Sequence, residues 1–343
     1  MTPGRNRYKW LVFLTTFAIQ TWMVPIAQAH ESPAVHTPLY PILILDFKDN
    51  PYIPYNFRTM TAAPTHLTGL HELRASGSAQ FSATNFPALL KAINHPNIVI
   101  VDLRKESHGL LDGLPISWYG VHNAANKGKS PKEVINIEKN LLNCLNQRAC
   151  LNGKDSITAY ISEKNEEPGI FFPQHIPFNR SATTEQNFVI NAGYKTIRFY
   201  VLDETGPDDI QLDRFVKFVK MLPANTWLHF HCHDGQGRTT TFLALYDMIR
   251  NAKHVSLKDI LNRQEEMNGE NLLETNPDEH WRAAQYKERL AILEEFYRYA
   301  RDPNGYERTS WLSWQHKKRL TITKLGRTRV NITSLAENLA QQN

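Results

Sequence analysis

Apolar positions in the second half of the chain follow two periods in turn. Ile197–Leu202 (IRFYVL) and Trp227–Phe230 (WLHF) are short continuous runs bounded by turn residues, the mark of strands buried in a sheet. Between them, Asp208–Leu222 repeats its apolar residues at helical spacing and predicts an amphipathic helix capped by Asp208 or Asp209. A helix carried by Phe242, Leu243, Leu245, Tyr246 and Ile249 follows the second run, and two more are expected near 256–267 and 279–301. Upstream, Asn97–Leu103 (NIVIVDL) is a buried-strand run after a helical stretch at 87–93. Pro131–Leu145 has a helical period with proline in its first turn. This alternation predicts an α/β fold with a mainly parallel central sheet flanked by helices, and a site at the carboxyl ends of its strands. Residues 146–184 break the pattern with short apolar bursts among polar residues and prolines, which predicts a small lobe of short strands and loops.

The first residues change what is counted. Arg5, Arg7 and Lys9 precede the apolar run Leu11–Ile19, and Ala27-Gln28-Ala29 offers a small-x-small cleavage site, the layout of a secretory signal peptide over 1–29. Export to the periplasm or out of the cell is then expected, with no stable membrane span once the signal is removed. Losing 1–29 removes those three basic residues and no acidic one, so the net charge of +5 falls to +2. That balance gives no reason to expect a nucleic-acid partner, and any anionic ligand must be found from local placement. Lys317, Lys318, Arg319, Lys324, Arg327 and Arg329 crowd the stretch 316–343, which reads as a solvated basic tail after a domain spanning 30–315. Of three cysteines, Cys144 and Cys150 bracket a five-residue gap and are a disulfide candidate in an oxidising compartment. Cys232 is then left over, and a lone thiol kept in such a compartment suggests use.

Cys232 stands where the pattern is most specific. In HFHCHDGQGRTTTF (229–242), five residues separate Cys232 from Arg238, with a strand before and a helix after. Gly235 and Gly237 let the backbone turn sharply, so the amides of His233, Asp234, Gly235, Gln236 and Gly237 can circle a tetrahedral anion at the positive end of the helix. Arg238 would grip two of the anion's oxygens. A thiolate under that cradle is stabilised by the same dipoles and can attack phosphorus in line, giving a phosphocysteine. Thr239 can donate to the sulfur, and His231 is expected to order the loop backbone rather than act as a base. The leaving oxygen needs a proton from elsewhere. Asp203 follows a strand onto the same sheet edge, with Pro207 stiffening its loop, and is the expected general acid and later the base that activates water.

Taken in order, NFRTM (56–60), SGSAQF (76–81), VDLRKESHGLLDGLPISWYG (101–120), the Cys232 loop, SLKDILNRQ (256–264) and FYRYARDPNGY (296–306) carry a resemblance. Over roughly residues 50–315 the chain resembles the protein-tyrosine-phosphatase-like inositol polyphosphatases, the cysteine phytases. The resemblance implies a dual-specificity-phosphatase-like core with a small partial β-barrel lobe, built mainly from about 30–57 and 146–184. It implies hydrolysis of myo-inositol hexakisphosphate without metal or cofactor, with Cys232, Arg238 and Asp203 as nucleophile, phosphate clamp and acid. It aligns Arg58 with an arginine that contacts substrate phosphate, and Arg282, Tyr286 and Arg289 with two lysines and a tyrosine lining the pocket. These last three share a helix face that continues as the apolar stripe Leu293, Phe296, Ala300, so the face turns basic where it would border a wet, anionic pocket. Arg104, Glu106 and His108 match as well and are expected to order loops near the site.

Two departures bear on substrate preference and pH optimum. The family's acid loop commonly runs Asp-His-x-x-Pro with tryptophan before the proline; here it is Asp203-Glu204-Thr205-Gly206-Pro207, which trades a cation for an anion. In the phosphate loop His233-Asp234 replaces a smaller pair, and Asp234 can repel a polyanion or tether an arginine. Rival readings are a phosphotyrosine phosphatase, a phosphoinositide phosphatase and a silent phosphate-binding module. The rim cations argue against the first, and the presence of both Cys232 and Asp203 argues against the last.

Overall fold

Fully buried strands form the centre of one sheet, and shorter strands, several of them partly exposed, form a second. The computed structural model describes residues 41–147, 156–161, 171–177, 181–278 and 280–321. The expected signal peptide, Cys150 and the basic residues Lys324, Arg327 and Arg329 lie outside the described residues. The chain begins with β1 (Ile42–Leu45), β2 (Arg58–Thr59), β3 (Ala75–Ser78), α1 (Phe86–Ile93) and β4 (Ile98–Arg104). Then come β5 (His108–Leu111), β6 (Leu114–Tyr119), α2 (Pro131–Asn146), β7 (Ser156–Ile161), β8 (Phe172–Pro177) and β9 (Ala182–Thr183). The second half holds α3 (Glu185–Asn191), β10 (Lys195–Val201), α4 (Asp209–Met221), β11 (Trp227–His231), α5 (Gly237–Asn251), α6 (Leu257–Glu266) and α7 (Ala283–Arg301).

The first sheet has the order β10-β4-β11-β3-β2, parallel except for the edge strand β2. All seven residues of β4 are buried, because helices cover both faces. Val99, Val101 and Leu103 join Leu228 and Phe230 under α4–α7, while Ile98 and Ile100 join Trp227 under α1 and α3. The expected helices and strands fall at these places. Asp208 supplies the α4 cap, accepting from the Gln211 amide at 2.8 Å. Ser130 and Glu133 close a reciprocal capping box on α2, with Pro131 in its first turn. Cys144 sits half-buried in the last turn of that helix, and the second half of the proposed bridge is undescribed.

The second sheet runs β8-β7-β1-β6-β5-β9. It combines β1 and the short strands of 156–183 with the β5–β6 hairpin, which lies outside the lobe bounds of about 30–57 and 146–184 expected from sequence. Asp112 and Gly113 both have positive φ there (51° and 87°), the conformation of a tight two-residue hairpin turn. Among the described residues no pairing joins the edge strands β8 and β9, so they form no closed barrel. At the other end of the chain, residues 311–321 are helical. Trp311 is buried against Phe296 and Tyr299, and Lys318 pairs with Glu295, so part of the expected tail packs on α7. No helix among the described residues is long and apolar enough to cross a membrane.

Three chain exits meet at one edge of the first sheet: β4 into Glu106, β10 into Asp203, and β11 into Cys232. Parallel strands bring their carboxyl ends together, and the loops between strand and helix form the site there.

Candidate active site

The loop after β11 is shaped from outside. Its carbonyls accept bonds from neighbouring elements: His233 O from the Gln80 amide (2.9 Å), Asp234 O from Asn56 Nδ2 (2.7 Å) and Gly235 O from Arg58 (2.7 Å). A trans peptide points its N–H opposite to its C=O. Each outward carbonyl therefore turns the next amide inward, so the N–H groups of Asp234, Gly235 and Gln236 face the loop's centre. The Gly235 amide shows it, donating to Cys232 Sγ at 3.2 Å; Thr239 Oγ1 donates to the same sulfur at 3.2 Å. Cys232 is a free, buried thiol at the base of this ring.

Gly235 is required twice over. Its φ is +73°, and a Cβ would lie 2.3 Å from the Ala79 nitrogen and the Ser78 carbonyl carbon. Gly235→Ala is expected to destabilise the fold by about 1–2 kcal/mol from the left-handed backbone alone. The backbone clash adds to that, and the loop must open to relieve it. Chemical denaturation checks the stability loss, and a fall in kcat of at least about tenfold checks the opened loop.

Arg238 opens α5 and is fully buried. Glu106 grips it with both oxygens (2.7 and 3.0 Å), and its Nη2 reaches Asp203 Oδ1 at 3.0 Å. Burial alone would raise the Glu106 carboxyl, but Arg238 and Arg104 outweigh it and hold Glu106 well below the usual range. Arg104 is fixed in turn by Asp46 at 2.6 Å. Asp203 keeps about a quarter of its side chain exposed and accepts from Asn123 Nδ2 at 2.8 Å. The structure thus brings Cys232, Arg238, Thr239 and Asp203 to one place.

Other expected residues occupy different positions. Arg58 is buried behind the loop, its terminal nitrogens donating to Asn56 O, Gly235 O and Thr240 Oγ1. Burial pushes its guanidinium down to about 10, while Cys232 and Glu270 pull the other way. Its bonds hold up the phosphate loop. His231 does not bond the loop backbone as expected; its Nε2 meets Glu185 Oε1 at 2.9 Å on the α3 side of the sheet. Strand alternation explains this, because Cys232 faces the site and its neighbour must face away. His233 pairs with Asp234 (2.8 Å) and lies 3.5 Å from Asp46. Burial would lower its ring, but the two carboxylates hold it up at about 10. Asp234 thus tethers a histidine. Gln236 caps α5 and reaches Asn268 O at 3.4 Å.

Arg282, Tyr286 and Arg289 line one side, and each meets an acid. Arg282 lies 3.2 Å from Glu204, and Arg289 lies 2.8 Å from Glu270. The Tyr286 hydroxyl is 2.7 Å from Glu270 Oε1 and 3.1 Å from Glu204 Oε2. A Cβ on Gly237 would stand 3.1 Å from both Arg289 Nη1 and a Glu270 oxygen, so this rim touches the phosphate loop itself. Sequence reasoning missed Glu270, Asn123 and Asp46.

Beneath the loop, His108 Nε2 lies 3.3 Å from Asp102 and 3.4 Å from Glu185, an arrangement with metal-ligand spacing. Burial disfavours charge on His108, but Asp102 outweighs it and holds the ring up at about 10. Arg198 also reaches Asp102 at 3.0 Å. With Arg198 on Asp102 as well, these groups form a buried charge cluster.

Comparison with known proteins agrees with this geometry. The family model for PTP-like phytases, described as inositol hexakisphosphate, matches residues 101–250. Effector protein hopD2 of Pseudomonas syringae pv. tomato is 27% identical over 253 residues, 73% of this chain and 53% of that protein. A PTP-like myo-inositol phosphatase from Mitsuokella multacida, solved with myo-inositol-(1,3,4,5)-tetrakisphosphate, matches with a TM-score of 0.71 at 33% identity, over 81% of this chain and 50% of that one. The chain thus spans about half the length of these relatives. A PTP-like phytase from Bdellovibrio bacteriovorus matches with a TM-score of 0.61 at 32% identity, over 82% of this chain and 97% of that one.

Proposed function

Because the chain belongs to the protein-tyrosine-phosphatase-like phytase family, we propose that it hydrolyses phosphate monoesters of myo-inositol polyphosphates through a phosphocysteine. The inward amides and Arg238 hold the reacting phosphate, and Cys232 Sγ attacks phosphorus in line with the leaving oxygen. Asp203 gives that oxygen its proton and then takes one from the water that cleaves the phosphocysteine. Arg282, Tyr286 and Arg289 receive the phosphates that do not react. Export through the N-terminal signal places the enzyme where free inositol phosphates are met as nutrients or as molecules of another organism.

The observation that carries this reading is Arg238, held by both oxygens of Glu106 and 3.0 Å from Asp203, opening the helix that follows a buried free thiol. A binding module has no use for a proton donor beside its anion clamp. Phosphate release in the presence of EDTA tests the substrate: the hexakisphosphate is compared with a phosphotyrosine peptide and a soluble phosphoinositide. The hexakisphosphate is expected to have the highest kcat/KM by about tenfold or more, because it alone engages several cations at once. Preference for the peptide or the phosphoinositide would overturn the substrate, and no release from any of the three would overturn the activity.

A further inference from the structure

The rim that should receive a polyanion is already neutralised. Arg282 and Arg289 each face a carboxylate, and the Tyr286 hydroxyl stands between the two. These contacts tie three separate elements together: the acid loop through Glu204, the segment after α6 through Glu270, and α7 with the turn before it. Arg289 is 1% exposed, its guanidinium lies 4.2 Å over the Tyr286 ring, and its Nε and Nη2 have no hydrogen-bond partner. Those two nitrogens are donors held ready beside the phosphate loop, in a place where water is largely excluded. Glu204 is held in the same rim by a backbone that non-glycine residues rarely adopt, with φ of +62°.

One hydroxyl proton cannot serve two carboxylates. The shorter contact assigns the Tyr286 proton to Glu270, and the Glu204 oxygen then faces a phenol oxygen at 3.1 Å. Two acceptors at that distance attract only if a proton lies between them, and Glu204 is the group able to bring it. We propose that Glu204 and Glu270 are specificity-determining residues that hold the rim cations in reserve, and that a highly phosphorylated substrate must displace them, most easily when Glu204 is protonated. The inference rests on the reading of the site as an inositol polyphosphatase.

The surroundings fix the direction of the pH effect. Burial and the neighbouring Asp203 push the Glu204 carboxyl up to about 7, with Glu270 adding to the rise and Arg282 and the Tyr286 hydroxyl opposing it. Arg289 and Tyr119 also stand at this corner, Lys105, His122, Lys127, Asp208 and Glu288 line the cavity on the acid loop's other side, and Arg238 acts on Glu204 through Asp203. Below about pH 7 Glu204 is neutral, Arg282 loses its counter-charge, and a polyanion meets a net positive rim. Above it, Glu204 carries a charge that the substrate must push aside.

The test compares KM for myo-inositol hexakisphosphate with KM for p-nitrophenyl phosphate, which has one phosphate and does not need the rim. Full-chain wild type, Glu204→Gln and Glu270→Gln are measured at about pH 6 and about pH 8. Substrate ionisation changes equally for all three, so differences between them isolate the side chains. The ratio of the two KM values is expected to fall at least about fivefold at pH 8 in Glu204→Gln, with a much smaller difference between that variant and wild type at pH 6. In Glu270→Gln the ratio is expected to fall at both pH values, since the contacts that hold Arg289 and the Tyr286 hydroxyl away from the substrate are weakened whatever the state of Glu204. Hydrolysis of both substrates with unchanged KM ratios in both variants would overturn the inference and leave the function standing. Hydrolysis of p-nitrophenyl phosphate alone by the wild type would overturn the substrate reading and the inference with it.

Discussion

Replacing Cys232 by serine is expected to lower phosphate release at least about 10³-fold on every substrate, with the fold and substrate binding retained. The sulfur accepts from the Gly235 amide and the Thr239 hydroxyl, which hold the attacking atom at the base of the phosphate loop. A serine hydroxyl fits the same buried space but holds its proton too tightly to attack phosphorus as an anion, and among the described residues the side chain at this position donates to no base. Cys232 is followed by the loop whose carbonyls are pinned by Gln80, Asn56 and Arg58, none of which depends on the sulfur. Calorimetric titration of the serine variant with hexakisphosphate should therefore still show binding. Activity within about tenfold of wild type would mean that another group attacks phosphorus.

The second large effect is on kcat alone. Asp203→Asn is expected to reduce kcat for inositol phosphates by about 10²–10³-fold, the worth of a placed general acid, with KM changed little. The loss should shrink toward unity for p-nitrophenyl phosphate, whose leaving group departs without a proton. That contrast separates proton transfer from structure. Asp203 also touches Arg238 and Asn123, so a merely structural role would depress both substrates alike. Equal losses on the two substrates would therefore remove Asp203 from the acid role.

Much of this site was legible because its parts are local. Cys232, Gly235, Arg238 and Thr239 lie within one turn and the start of one helix, and strand β11 and helix α5 announce themselves by period. Asp203 was found by the same logic, as an acid at the end of the preceding strand. What escaped is held by long-range contacts that no period records. Glu270 follows Asn268 and Gly269 in an ordinary turn, and only the fold brings it to Arg289. Asn123 reaches Asp203 from a loop 80 residues earlier in the chain. Asp46 gave one signal, as a lone acid closing the apolar burst of β1, and its buried partners Arg104 and Ser117 explain why it is there. His231 was misplaced for a simpler reason: being next to the nucleophile in sequence puts a strand residue on the opposite face. The β5–β6 hairpin carried its turn signal in Asp112-Gly113, but a turn signal fixes only the local pairing and not the sheet that the hairpin joins.

The stretch from Arg104 to His108 has a consequence for recombining this protein with its relatives. It is where the chain leaves the first sheet for the second, and it is also where the phosphate clamp and the buried charges are anchored. Glu106 fixes Arg238 from it, and His108 meets Glu185, whose other oxygen holds His231. A crossover point cut here, however natural it looks on a strand diagram, would hand the second sheet to one parent and leave the clamp of the other without its counter-charge. Chimeras that exchange the second sheet should carry residues 102–108 together with the Cys232 loop from the same parent. The lobe is an inseparable half of the catalytic apparatus, and its inheritance is linked to that of the nucleophile.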